Sequence, residues 1–95
     1  MSTVLSGTEV VQALKSLPGW NVNGNAIERV FEFPNFVEAM GFVNRIAEAA
    51  EAVNHHPDIT INYNKVKLSL TSHDSGGVTQ RDLRMASKIN EIGAA

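Results

Sequence analysis

No cysteine occurs among the 95 residues, which excludes disulfides and thiolate metal sites together. Excess charge is also missing: eight basic against ten acidic side chains leave a formal net charge of −2. Such a chain has no surface built to neutralise phosphates, and direct nucleic-acid binding is not expected. No apolar run approaches the roughly 20 residues of a membrane-spanning helix. The start, Met1 to Leu5, lacks the basic and long apolar regions of a secretory signal, so the expected location is the cytoplasm, with the nucleus as the alternative. Repeats, low-complexity stretches and Pro/Gly/Ser-rich linkers are absent, and the length suits one domain over residues 1–95 with a real but modest core. Histidine is scarce too: there are three, and all fall between positions 55 and 73.

Taken in order, Thr8 reads as an N-cap with Glu9 in the first turn, and Val10, Val11, Leu14 and Leu17 recur at helical spacing until Pro18-Gly19, giving a first helix over about residues 8–17. Trp20 and Val22 lead into the turn Asn23-Gly24-Asn25, and Ala26 to Phe33 resumes as a strand whose apolar parity is broken by Arg29. Pro34 ends that strand and Asn35 caps a long helix, with Met40, Val43, Ala47 and Ala50, joined by Ala39, Ile46 and Val53, along its apolar stripe. After a second hairpin and the turn Ser75-Gly76-Gly77, Thr79 with Asp82 forms a variant capping box. Leu83, Ala86, Ile89 and Ile92 supply the buried side of a third helix, and Gly93 ends it. The expected fold is α+β, a four-stranded antiparallel sheet with three helices packed on one face, in the order α-β-β-α-β-β-α.

The second hairpin organises the rest. Ile59, Ile61 and Tyr63 alternate with polar residues, as do Val66, Leu68 and Leu70, which is the period of a half-buried strand twice over. Leaving Asn64 and Lys65 for the turn pairs Tyr63 with Val66, Ile61 with Leu68 and Ile59 with Leu70. Continuing that register brings His56 opposite His73, with Pro57 marking the strand start. Glu51 lies four residues before His55, one helical turn away if the helix runs that far.

Histidines before a proline can simply cap a helix C-terminus, where imidazolium is favoured by up to about 1 kcal/mol. A three-histidine zinc site needs convergent rings, and adjacent His55 and His56 tend to opposite sides of an extended backbone. Ser72 and Ser75 flank His73, but no strained turn or oxyanion arrangement marks a nucleophile. General acid–base chemistry fits best, because imidazole titrates near neutrality and neighbouring rings can divide donor and acceptor duties.

Glu51 with His55-His56-Pro57, then Tyr63-Asn64-Lys65-Val66, Leu70-Thr71-Ser72-His73-Asp74, and Gly77-Val78-Thr79 with Arg81-Asp82 together resemble the signature of the pterin-4a-carbinolamine dehydratases. The resemblance is dense over residues 48–92, and Leu17-Pro18-Gly19-Trp20 matches in kind. It implies the fold above, with the sheet as a curved platform, and removal of water from a 4a-hydroxytetrahydropterin to give the quinonoid dihydropterin in tetrahydrobiopterin recycling. It further implies that His55, His56 and His73 line the pterin pocket, that Glu51 orients His55, and that Arg81 or Asp82 reaches the pocket from the third helix. Pro57 and Ser72 would support that pocket. Trp20 would stand at its edge, against a competing reading as a core aromatic. No metal or cofactor is implied, since the pterin is the substrate.

One departure is Ile59, where family members often carry an aromatic residue, so a ring-stacking wall there must be aliphatic or come from elsewhere. Animal relatives also serve as dimerisation partners of a homeodomain transcription factor, which keeps a protein-binding coactivator role as the alternative function. Two sheet edges and an alanine-rich long helix, together with the resemblance, lead to a homodimer or homotetramer.

Overall fold

The computed structural model describes residues 3–94. Its elements follow the expected order: α1 (Gly7–Leu14), β1 (Asn21–Asn23), β2 (Ala26–Glu32), α2 (Phe36–Val53), β3 (Asp58–Asn62), β4 (Lys65–Leu70) and α3 (Gln80–Ala94). The strands form one antiparallel sheet in the order β1-β2-β4-β3. Ile27 and Phe31 of β2 and Val66, Leu68 and Leu70 of β4 are buried on its inner face. They meet Ala39, Phe42, Ile46 and Ala50 of α2 and Met85, Ala86 and Ile89 of α3 in one core. Glu28, Val30 and Glu32, of the opposite parity on β2, pair with Ser69, Lys67 and Lys65, a mostly polar outer face with Val30 exposed.

Several local expectations need correction. Thr8 is not the cap of α1: Ser6 is, because its hydroxyl accepts from Glu9 N (3.1 Å) while Glu9 Oε1 accepts from Ser6 N (2.7 Å), a reciprocal box that Thr8 cannot make. The helix stops at Leu14 and tightens through Ser16 N to Ala13 O and Leu17 N to Leu14 O. On α2 the buried stripe is Ala39, Phe42, Ile46 and Ala50, while Ala47 is exposed and Val53 is 63% exposed. Phe42 sets that rotation by packing between Phe31 and Phe33, ring centroids 4.7 and 5.0 Å away. Gly93 does not end α3; a Cβ there would lie 2.6 Å from Phe31 Cε2, so it is a close-approach glycine inside the helix.

Arg29 finds its explanation here. It shares the parity of Ile27 and Phe31 but turns its guanidinium to Pro18 O (2.9 Å) and Asn90 Oδ1 (2.7 Å), and lies 4.1 Å from the Phe31 ring centroid. Trp20 Nε1 donates to the same Asn90 Oδ1 at 2.8 Å. One inward-facing cation thereby links the Pro18 turn, β2 and α3.

The second hairpin turns at Tyr63-Asn64, not Asn64-Lys65. The observed pairs are Ile59 with Leu68, Ile61 with Val66 and Asn62 with Lys65. Moving the pairing by two residues leaves every apolar side chain on the same face, so alternation alone cannot choose between the two registers. Turn chemistry decides: Asn64 Nδ2 donates to Phe33 O (2.8 Å), Asn64 O accepts from Phe33 N (2.9 Å), and Tyr63 takes φ 54°. Because the ladder begins at Asp58–Ser69, His56 and His73 do not face each other as a cross-strand pair.

Asn54 closes α2 in the left-handed conformation, φ 52° and ψ 45°, with its N–H on Ala50 O and Glu51 O. That reversal throws His55 out of the helical path and sets its direction. Asn54→Gly is expected to leave stability unchanged within a few tenths of a kcal/mol, and Asn54→Ala to lower it by about 1 kcal/mol, read as a fall in the urea midpoint. Equal stability of the alanine variant would show that the left-handed cap is not what this position requires.

Candidate functional site

The site is built on the first turn of α3. Asp82 is fully buried, and each of its oxygens is used. Oδ2 accepts from Thr79 N (2.8 Å) and Ser72 Oγ (2.9 Å), and Oδ1 lies 2.5 Å from His55 Nε2. The Ser72 proton is committed to Asp82, so the Thr79 hydroxyl must donate to Ser72 Oγ across their 2.8 Å contact. Thr79 Oγ1 in turn accepts from Arg81 N (3.2 Å). The polar chain thus runs in one sense, from Arg81 N through Thr79 and Ser72 to Asp82. Helix cap and site are the same set of atoms.

His55 reaches Asp82 from the other side of the fold. Beyond the Asn54 reversal its N–H remains on Ala50 O at 3.1 Å, and its side chain is only 11% exposed. With Nε2 on a carboxylate, the ring's orientation and tautomer are fixed and Nδ1 is the nitrogen left for exchange. The expected orienting partner was Glu51; the structure gives that place to Asp82. Glu51 Oε2 sits 2.5 Å from His56 Nε2 instead, and this second pair is open to water, 52% exposed at His56 and 77% at Glu51. The four-residue rule presumes a helix running through His55, and Asn54 ends it first. Pro57 is buried and carries the chain from the two imidazoles into β3.

His73 lies in the turn between β4 and α3. Ser72 N bonds Gly77 O (3.0 Å), and Ser75 N and Gly76 N bond Ser72 O (3.0 and 2.9 Å), so the turn folds tightly on Ser72. Both chain neighbours of His73 are fastened to α3: Ser72 to Asp82, and Asp74 Oδ1 to Arg81 at 2.6 Å. The His73 ring is exposed and makes no hydrogen bond among the described residues. Its backbone is held beside the His55–Asp82 pair through Ser72 while its side chain is open to solvent. The Arg81 hydrogen bond, reinforced by its charge, holds the Asp74 carboxyl below its ordinary value. That clasp is therefore present above the ordinary carboxylate range and weakens as pH falls through the depressed one. Arg81 Nε is buried with no acceptor among the described residues.

Trp20 stands apart from this cluster. It is 4% exposed, belongs to the core, and its indole bonds Asn90, eight residues and about 12 Å along α3 from Asp82. Sequence reasoning did not assign a site role to Thr79 or Asp74. The signals are present in the sequence: Thr79 is a cap residue whose hydroxyl needs a partner, and Asp74 stands seven positions before a residue of opposite charge.

A groove of about 480 Å³ opens between α2 and α3, and His55 and Arg81 are among the residues that line it. Its walls are mostly alkyl, from Ala49, Ala52, Val53 and Met85. An imidazole on a buried carboxylate, a cation beside it and an apolar cleft can hold a flat heterocycle and move protons on its edge. Among the described residues, no group of three or more His, Cys, Asp or Glu side chains could hold a metal ion. Among the described residues, no helix is long and apolar enough to cross a membrane.

Comparison with known proteins gives this arrangement its context. The family model described as pterin 4 alpha carbinolamine dehydratase matches residues 3–92. A relative of that family from Koribacter versatilis is 61% identical over 92 residues, covering 97% of this chain and 98% of its own. Another, from Thermomicrobium roseum, is 50% identical over 88 residues, with 93% and 95% covered. The crystal structure of a Brucella melitensis protein described as a transcriptional coactivator/pterin dehydratase superposes with a TM-score of 0.91 at 41% identity, covering 96% of this chain and 99% of that one. A pterin dehydratase-like RuBisCO assembly factor of the alpha-carboxysome shares the fold alone, with a TM-score of 0.65 at 16% identity over 80% and 88% of the two chains. With fold and full-length similarity in agreement, the chain belongs to the pterin-4a-carbinolamine dehydratase family.

Proposed function

We propose that this chain dehydrates a 4a-hydroxytetrahydropterin to the quinonoid dihydropterin by histidine acid–base catalysis, in the cytoplasm, as a recycling step for tetrahydrobiopterin or a similar reduced pterin. The observation that carries the reading is His55, nearly buried, held by Nε2 on a fully buried carboxylate beside an apolar cleft. In the reaction the N5–H bond breaks and its electron pair forms the C4a–N5 double bond. The C4a–O bond breaks, and the departing hydroxide takes a proton to leave as water. One proton is taken and one is given, so the imidazoles return to their starting state in every turnover. His55 Nδ1 is the positioned nitrogen, and His56 and His73 are the exposed partners that complete the transfer. No metal or further cofactor is called for, because the bonds that change all lie on the pterin.

Oligomerisation belongs to the same proposal. β3 is an edge strand whose Ile59 and Ile61 are each 37% exposed, and α2 leaves Phe36, Val37 and Val53 uncovered. Association through these surfaces would bury them. The Brucella melitensis relative's description as a coactivator supports a second reading, in which the same apolar surface of α2 receives a transcription factor as a protein partner.

His55→Ala, His56→Ala and His73→Ala are each expected to lower dehydration of a synthetic 4a-hydroxypterin by roughly 10²-fold or more with the fold intact by circular dichroism. Full activity in all three would remove the enzymatic assignment, and stoichiometric capture of a helical partner peptide would then favour the binding role. Asp82→Asn places an amide among donors; it should cost about 1–3 kcal/mol in urea unfolding and depress kcat more than KM. Sedimentation at micromolar concentration should find more than one chain per particle, and a clean monomer would contradict the association.

A further inference from the structure

The groove continues beyond what a pterin ring and its proton-transfer groups require. From His55 and Arg81 it follows α3 past Arg84 to Lys88. Residues 81, 84, 85 and 88 share one helical face and span about 10 Å along the axis. Ala49, Ala52 and Val53 on the α2 side and Met85 on the floor contribute no polar side chain. Past Arg81, the polar side chains of the groove are therefore cationic. Arg81 is already matched by Asp74, whereas Arg84 and Lys88 form no ion pair among the described residues. In a chain of formal charge −2, this wall sets two cations without an ion pair among the described residues side by side along one cleft.

These cations do not serve the helix. Arg81 and Arg84 fall in the first half of α3, towards the end where the helix dipole favours anions. Arg84 and Lys88 are a like-charged pair four residues apart, which opposes helix formation. The arrangement therefore works against local stability while facing an apolar cleft. It is suited to an anion that brings an apolar stem with it.

Resting on the dehydratase reading, we infer that the groove takes an anionic group at the end of the pterin's C6 side chain, and that Arg84 and Lys88 select it. C6 is bonded to N5, the atom that must face the histidines. A substituent on C6 therefore leaves the ring beside His55, where the groove begins. Its stem runs over Met85 and the alanines, and its terminal phosphate or carboxylate meets the two free cations. A neutral side chain would fill the cleft without using either.

Binding can be read without turnover by using oxidised pterins, which are stable. Three probes suffice: a C6 chain ending in a hydroxyl, the same chain ending in phosphate, and pteroylglutamate. Calorimetry at low salt should show the phosphate-ended probe binding about ten-fold or more tightly than the hydroxyl-ended one. The margin should shrink as ionic strength rises. In an Arg84→Gln/Lys88→Gln double variant, whose exposed side chains can be changed without touching the core, the ratio should fall to about one with the hydroxyl-ended affinity unchanged. Preference for phosphate alone would identify a phosphorylated side chain, and a preference shared with pteroylglutamate would extend the anion to a carboxylate. Equal affinities in the unaltered protein, as when a second copy covers the groove, would overturn the inference. So would a preference that survives the double variant. The failures separate: a chain that prefers the anionic probes but dehydrates nothing contradicts the reaction, while one that dehydrates without charge preference contradicts the groove.

Discussion

The active end of this molecule depends on one buried charge. Asp82 has no contact with solvent, and a carboxylate in that position would be several kcal/mol too costly without donors aimed at it. Thr79 N, Ser72 Oγ and His55 Nε2 supply them. These three donors come from the helix cap, the end of the β4 segment and the residue after the α2 cap. Satisfying the carboxylate therefore draws three otherwise separate pieces of chain to one point. The first turn of α3 cannot be capped in this way without the histidine site being assembled at the same time.

α3 is held at its other end by a different device. Arg29 and Trp20 both converge on Asn90 Oδ1, and Gly93 lets the helix approach the Phe31 ring. Between these ends Met85, Ala86 and Ile89 are buried against the sheet and α2. The helix is thus fastened at a polar point near each end and packed along its middle, so its spacing from α2 is defined over the length of the groove. A cleft between two helices keeps its width only if both are fixed in this manner, and the Phe31, Phe33 and Phe42 cluster fixes α2 from the sheet side.

Much of this was readable from residue order. Period-two alternation gave the hairpin, helical spacing gave the three helices, and Thr79 with Asp82 gave the cap that became the centre of the site. What escaped has identifiable causes. A register shift of two preserves every face, so the hairpin pairing could not be decided without knowing that Asn64 clamps Phe33. The four-residue spacing points Glu51 at His55 rather than His56 because an asparagine does not announce when it will take the left-handed conformation. Arg29 on an inward parity looked like an error of pattern, and only tertiary structure supplies the Pro18 carbonyl and Asn90 it satisfies. Gly93 has the local look of a terminator because a close ring contact leaves no trace in the neighbouring sequence.

The adjacency of His55 and His56 matters because Asn54 separates their environments. Each imidazole pairs with a carboxylate through Nε2, yet the His55–Asp82 pair is nearly dry and the His56–Glu51 pair is wet. A dry pair holds its geometry, since neither partner can exchange the other for water, and it is fit to present one ring nitrogen at a fixed place. A wet pair exchanges protons freely with solvent but holds no position tightly. The proposed dehydration of a carbinolamine would draw on both properties: an oriented group at the breaking bonds and a route by which the departing oxygen and its protons equilibrate with water. Two neighbouring residues of one type can serve different ends because a left-handed turn sends one inward to a helix cap and leaves the other at the surface.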